Sequence, residues 1–258
     1  MIGIFDSWLG GIQSLAYLRE TLPHASYLYL GDTKYVPYGD KDPIFLRERT
    51  FQCLHWLFAQ GCTLVILACN TASAYAIRAR QEQFPDKKVL SVTLPGIEAI
   101  VEQWYHQVGL LATAATVQSG LYPEMMYRHY PDYQIEFIPY NGSWLVELLE
   151  WWAKDELIME KLLQIFWTAA TRREALVLGS THYPVLIPYL KQLFENINFI
   201  NPAQEAAKKL SAYLVRHSEI LLQKEWKVYC AVTADAIVFQ QRMETLLGIG
   251  IEVKKEVV

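Results

Sequence analysis

The chain has 258 residues, 52% of them hydrophobic and 19% charged, enough for two ordinary cores or one large one. With 23 basic against 27 acidic residues its formal net charge is −4, which argues against a nucleic-acid partner. No apolar run approaches ~18 residues and the start, MIGIFDSW, has no basic leader, so neither a membrane span nor a signal peptide is expected.

In chain order, Ile2–Phe5 is a short apolar strand that ends at Asp6-Ser7. Gly10-Gly11 lead into a helix with apolar residues at Ile12, Leu15, Ala16, Leu18 and Leu22, closed by Pro23. Ser26–Leu30 is the next strand; a polar loop carrying Val36-Pro37-Tyr38-Gly39 follows it. Asp42-Pro43 reads as an N-cap with proline at the first helical position, and Gly61 as the residue that ends that helix. After the strand at 64–67, further strands are predicted near Val89–Val92, Val108–Leu111, Gln134–Ile138, Ala175–Leu178, Asn198–Ile200 and Trp226–Ala231, with helices between them. This alternation predicts an α/β fold with mainly parallel sheets. Leu94-Pro95-Gly96 and Asn201-Pro202 are the best punctuation, so the expected division is a first domain of residues 1–93 plus 203–258, with a second, 94–202, inserted in it.

The chemistry concentrates at two strand ends. Leu64, Val65, Ile66 and Leu67 form a run suited to a strand buried on both faces, and Cys69-Asn70-Thr71 follow. Ala72, Ala74, Ala76 and Ala79 then favour helix. The polar trio therefore sits where open α/β sheets place ligands, at a helix start whose free N–H groups favour an anion, a thiolate included. Taken alone, Cys69 is more simply a buried small hydrophobe; the polar pair behind it argues for a site. Ala175–Leu178 followed by Gly179-Ser180-Thr181-His182 repeats the pattern. Two such ends facing each other across a cleft would put acid/base groups on opposite sides of one carbon, as needed to remove a proton from one face and return it to the other. One of the two groups is a thiol and the other a hydroxyl.

Cys53, Cys62, Cys69 and Cys230 have neither CxxC nor zinc-finger spacing, and scattered free thiols suit a reducing cytoplasm. Gly248 and Gly250 open no βαβ unit, so no dinucleotide fingerprint is read there. His24, His55, His106, His129 and His217 are isolated and read as structural. Trp144, Trp151, Trp152 and Trp167 fall on predicted helices, and an exposed Trp151-Trp152 pair would mark a homodimer face.

Together FDSWLGG (Phe5–Gly11), GDTKYVPYG (Gly31–Gly39), ACNTASA (Ala68–Ala74), GSTHYP (Gly179–Pro184) and VTADA (Val232–Ala236) resemble the glutamate racemases of the aspartate/glutamate racemase superfamily. VGLLATAATVQSGLY (Val108–Tyr122) and GSWLVELLE (Gly142–Glu150) resemble its gamma-proteobacterial branch. The resemblance implies two α/β domains related by a pseudo-twofold axis, with the active site in the cleft between them. It implies a cytoplasmic racemase that uses no cofactor or metal and supplies D-glutamate for peptidoglycan, with a homodimer and activation by a cell-wall precursor as its accompaniments. Cys69 would be one acid/base, serving D-glutamate, with Asp6 near it; Ser180 stands where the family has a second cysteine, assisted by His182. Ser7, Pro37, Tyr38, Gly39, Asn70, Thr71, Thr116 and Thr181 match positions that hold the substrate's carboxylates and amino group, and Glu147 an acidic residue at the site's edge.

Two residues depart from the family pattern. A serine hydroxyl ionises far less readily than a thiol of pKa about 8.5, so Ser180 is a poor base. Trp8 replaces the glycine of the usual DSG, and its indole would narrow the pocket if it entered the cleft. The expectation is a racemase weakened on one face. The alternatives are a single-cysteine decarboxylase or isomerase of the same superfamily, or a racemase-like ligand-binding protein.

Overall fold

The computed structural model describes residues 1–150, 153–166, 173–194, 196–218, 220, 227–247 and 250–258, leaving aside the side chains of residues 81, 246 and 247. The first half runs β1 (Ile2–Asp6), α1 (Gly11–Thr21), β2 (Tyr27–Gly31), α2 (Pro43–Ala59), β3 (Leu64–Leu67), α3 (Asn70–Ala76), α4 (Arg80–Gln83), β4 (Lys88–Ser91) and α5 (Thr93–Glu102). It continues through β5 (Gln107–Ala112), α6 (Ala114–Gln118), α7 (Leu121–His129), β6 (Glu136–Asn141), α8 (Ser143–Glu150), α9 (Asp155–Phe166), β7 (Ala175–Gly179), α10 (Ile187–Leu193) and β8 (Asn198–Ile200). The last elements are α11 (Pro202–Arg216), β9 (Val228–Val232), α12 (Ala236–Leu247) and β10 (Val253–Lys255).

The strands form two sheets in which every described pairing is parallel: β10-β9-β2-β1-β3-β4 and β6-β5-β7-β8. The α/β class with parallel sheets is therefore as the alternation predicts. Successive side chains point to opposite faces, and the buried runs divide accordingly. In β3, Leu64 and Ile66 join the core under α1, α11 and α12, while Val65 and Leu67 face the other way. In β7, Leu176 and Leu178 pack beneath α8, α9 and α10, while Ala175 and Val177 face the other way. The inward sides of the two sheets meet in one shared core, with Val65, Leu67, Val108, Leu110 and Val177 all in it. That shared core joins the two sheets below the site.

Local signals act as their chemistry requires. The Asp42 carboxylate accepts from Ile44 N at 2.8 Å and Phe45 N at 3.2 Å, and Gly61 takes φ +87° after α2. Two expectations need correction. The strand expected at Gln134–Ile138 lies at Glu136–Asn141, through Pro139, which an edge strand tolerates. β10 was not anticipated: three residues, two of them lysines, carry no apolar run. Leu94-Pro95-Gly96 forms the first turn of α5, where a missing N–H costs nothing. Gly96 there lies against Pro202, its absent Cβ only 3.2 Å from the proline ring, so both punctuation marks meet where α5 crosses α11. Trp151, Trp152, Trp167, Trp226 and Gly248 lie outside the described residues.

Candidate active site

Each sheet changes direction of strand order at one place, between β1 and β3 in the first and between β5 and β7 in the second. Crevices beyond the carboxyl ends of strands at such points are where open α/β sheets bind ligands. The four strand ends here deliver Asp6-Ser7, Cys69-Asn70-Thr71, Thr113 and Ser180-Thr181-His182. A cavity of about 160 Å³ lies between them, lined by Ser7, Cys69, Asn70, Thr71, Thr113, Ser180, Thr181 and His182. The loop Val36–Asp40 and the helix α8 residues Glu147 and Glu150 complete its wall.

Cys69 is the N-cap of α3; its sulfur accepts from Ala72 N at 3.4 Å and its S–H donates to Ser7 Oγ at 3.7 Å. Burial, then the neighbouring Asp6 carboxylate, push the thiol up to about 12, against those contacts. Asp6 is wholly buried behind the cavity wall and does not itself line it. Its Oδ2 accepts from Trp8 N at 3.1 Å and Gly11 N at 3.0 Å, and Thr181 Oγ1 donates to Oδ1 at 3.3 Å. Burial raises its pKa to about 6, with His182 and these donors working the other way. Thr181 thus bridges the second sheet to β1. The approach is so close that a Cβ on Gly10 would stand 2.3 Å from Thr181 Oγ1, and one on Gly11 2.3 Å from Asp6 Cβ. The paired glycines of the FDSWLGG stretch are there for that contact.

The opposite strand end is less supported. Ser180 Oγ accepts from His182 N at 3.4 Å. His182 starts the short 3₁₀ turn Tyr183–Leu186, and its Nε2 lies 3.1 Å from Glu150 Oε1. That separation is an ion-pair distance, but the N–H direction misses the carboxylate, so no hydrogen bond is made.

Between the sheets, the hydroxyls of Thr71, Thr113 and Thr116 form a triangle with edges of 2.9, 3.0 and 3.4 Å. Thr113, the N-cap of α6, lines the cavity, and Thr116 stands behind it. Tyr122 donates to Asn70 Oδ1 at 2.8 Å and so fixes which way the amide faces. Tyr38 is held from below: its hydroxyl donates to Asp32 Oδ2 at 2.6 Å. Asp32, fully buried, also takes Arg49 in a bidentate pair at 2.7 and 2.8 Å and Thr233 of the VTADA stretch at 2.9 Å. Arg49 in turn holds the Val258 carbonyl at 2.7 Å.

Of the residues named from sequence, Ser7, Pro37, Tyr38, Gly39, Cys69, Asn70, Thr71, Glu147, Ser180, Thr181 and His182 all line the one cavity. Asp6 and Thr116 touch it through Thr181 and Thr113. Sequence reasoning missed Thr113, Ser143 and Glu150. Thr113 and Ser143 were legible as capping positions beside quoted motifs, and Glu150 as the residue one turn beyond Glu147. Trp8 does not narrow the site. Its indole stacks edge-on against Phe239 of α12 at 5.7 Å, and it is absent from the cavity wall. Its buried Nε1 finds no partner among the described residues. All four cysteines are buried and unbridged. Among the described residues no group of three or more His, Cys, Asp or Glu is placed to hold a metal ion, and no helix is long and apolar enough to cross a membrane.

The sequence profile of the Asp/Glu/Hydantoin racemase family matches residues 14–210. The glutamate racemase of Cupriavidus pinatubonensis is 37% identical over 220 residues, spanning 84% of this chain and 79% of that protein. A crystal structure of the Francisella tularensis glutamate racemase in complex with D-glutamate superposes with a TM-score of 0.88 at 25% identity, covering 100% of this chain and 97% of that one. The Escherichia coli glutamate racemase with L-glutamate and the activator UDP-MurNAc-ala gives 0.77 at 25% identity, over the same shares. With a profile match across most of its length and relatives above 30% identity, the chain belongs to the Asp/Glu/Hydantoin racemase family.

Proposed function

We propose that the chain interconverts L- and D-glutamate by cofactor-independent two-base proton transfer, supplying D-glutamate for peptidoglycan, with one of its two faces weakened. The observation that carries this reading is the meeting of Cys69 and Ser180, from the switch points of two sheets, on one cavity. Burial and Asp6 keep Cys69 protonated. An amino acid entering as a zwitterion brings its own ammonium group, which offsets the Asp6 charge and favours the thiolate. The α3 start and the Thr71–Thr113 hydroxyls face the substrate's carboxylates, and Asn70 and Ser7 its amine and backbone. Cys69 then removes or returns the α-proton of D-glutamate. On the other face Ser180 lacks a thiol's acidity.

The wider reading keeps the division into residues 1–93 plus 203–258 and 94–202, which suits strands of the first sheet drawn from 2–91 and 228–255 and of the second from 107–200. It keeps a cytoplasmic setting, for four unbridged thiols. Homodimerisation and activation by a cell-wall precursor complete it; the activator named for the Escherichia coli protein supports the latter. Placement in the gamma-proteobacterial branch rests on the stretches 108–122 and 142–150 alone. The test is binding and exchange together. D- and L-glutamate should raise Tm while other dicarboxylic acids do not, and the α-hydrogen of D-glutamate should exchange in D₂O. A protein stabilised by another dicarboxylic acid and silent with glutamate would reject the reading.

A further inference from the structure

We infer that on the face opposite Cys69 the proton is carried by His182, with Glu150 as its positioning residue, rather than by Ser180. The inference rests on the racemase reading above. The Ser180 hydroxyl accepts from His182 N, just before the turn, and a hydroxyl is too weak an acid to serve alone near neutral pH. Among the described cavity residues on that side, the other titratable groups are His182, Glu147 and Glu150. Imidazole is the side chain suited both to take and to give a proton near neutrality. Its ring lines the cavity, and Nε2 is drawn to 3.1 Å from Glu150 Oε1 with the two side chains only 10% and 15% exposed. Charged groups around the ring are Asp6 from the end of β1, Glu147 and Glu150 from α8, and, across the groove behind it, Asp155 of α9 and Arg242 of α12.

The step balances without a further reactant. The unprotonated ring nitrogen takes the α-proton of L-glutamate, and the C–H electron pair stays on the α-carbon, delocalised into its carboxylate. The Cys69 S–H then delivers its proton to the other face, leaving an imidazolium and a thiolate that exchange with solvent or run the reaction backwards. Glu150, whose carboxylate lies 3.1 Å from Nε2, orients the ring.

The test separates the two faces by following α-hydrogen exchange of each enantiomer in D₂O. His182→Ala should lower L-glutamate exchange about a hundredfold while D-glutamate exchange, which reports a folded cleft and a working Cys69, changes by less than about threefold. Added imidazole should restore L-glutamate exchange about tenfold in His182→Ala, and less in His182→Ala/Glu150→Gln, with no effect on the D-enantiomer. Glu150→Gln alone should slow the L-enantiomer selectively, and Glu150→Asp should recover part of the loss. Equal losses on both enantiomers, an unaltered L-glutamate rate, or no response to imidazole would overturn the inference while D-glutamate exchange by the parent protein upholds the racemase reading. No exchange of either enantiomer by the parent would overturn both.

Discussion

The two strand ends that face each other across the cavity come from the same sequence pattern and are built differently. After β3, Cys69 caps a regular helix, and its neighbours are each held: Asn70 by Tyr122, Thr71 by Thr113, the sulfur by Ser7 and Ala72. After β7, Gly179-Ser180-Thr181-His182 enters a 3₁₀ turn, Thr181 is turned away to Asp6, and His182 reaches to α8 for a carboxylate. The first end is a thiol fixed by its own surroundings. The second has no thiol, and its titratable groups come from His182 and from a helix of the same sheet's far face. Equivalent topology therefore does not make equivalent chemistry; the side chain at one position does.

The largest expected effect falls on the first end. Cys69→Ala should cut D-glutamate α-hydrogen exchange about a thousandfold, read by loss of the NMR α-proton signal in D₂O. A loss confined to L-glutamate would mean that the two ends have been assigned the wrong enantiomers. Next is the support beneath Tyr38. Asp32→Ala leaves Arg49 buried and unpaired, and should cost about 3–5 kcal/mol in urea unfolding. A cost below about 1 kcal/mol would show that the cluster of Asp32, Arg49, Tyr38 and Thr233 is not what holds the loop.

Asp6 gives the comparison a pH signature. Its carboxyl ionises near 6 in the folded chain against 3.8 when free. Between those values the folded protein keeps a proton that the unfolded one has released, so stability falls as pH rises from about 4 to about 6 and is level above. The difference is about 3 kcal/mol and should be missing from Asp6→Asn. Thermal melts of both proteins across that range check it, and parallel curves would refute the burial argument. The smallest effect belongs to the contact that ties the two ends together. Gly10→Ala pushes a Cβ into Thr181 and should cost about 1–3 kcal/mol in stability, with a weaker grip on glutamate in calorimetric titration.

Much of this was legible in the sequence for identifiable reasons. The strands β1, β3, β5 and β7 are buried on both faces and appear as short apolar runs, so they and the polar residues at their ends could be read directly. Of the four edge strands, β4 and β8 were read within a residue of their bounds, but β6, which carries Pro139 and exposed residues, was misplaced and β10, with two lysines, was missed. The site's lining was legible where a motif carried it, as in Cys69-Asn70-Thr71. Thr113 as a cap and Glu150 one turn beyond Glu147 were within reach of the sequence, but their pairings, 71 with 113 and 150 with 182, are tertiary, and no local pattern encodes such a meeting. Trp8 shows the reverse limit. Its place beside Asp6 in sequence left open whether it entered the cleft; its ring lies in the core against Phe239, a residue more than two hundred positions away.

The central claim is that one side chain, at position 180, separates a weak racemase from an efficient one. Proton exchange and net racemisation of each glutamate enantiomer, followed by NMR and optical rotation for the parent and for Ser180→Cys, test it most directly. The account predicts slow exchange of D-glutamate, slower exchange of L-glutamate and weak racemisation by the parent. Ser180→Cys should raise kcat/KM for racemisation equally in both directions by orders of magnitude, about tenfold for each ~1.4 kcal/mol regained at the transition state. Efficient racemisation by the parent, or no gain from Ser180→Cys, would contradict it.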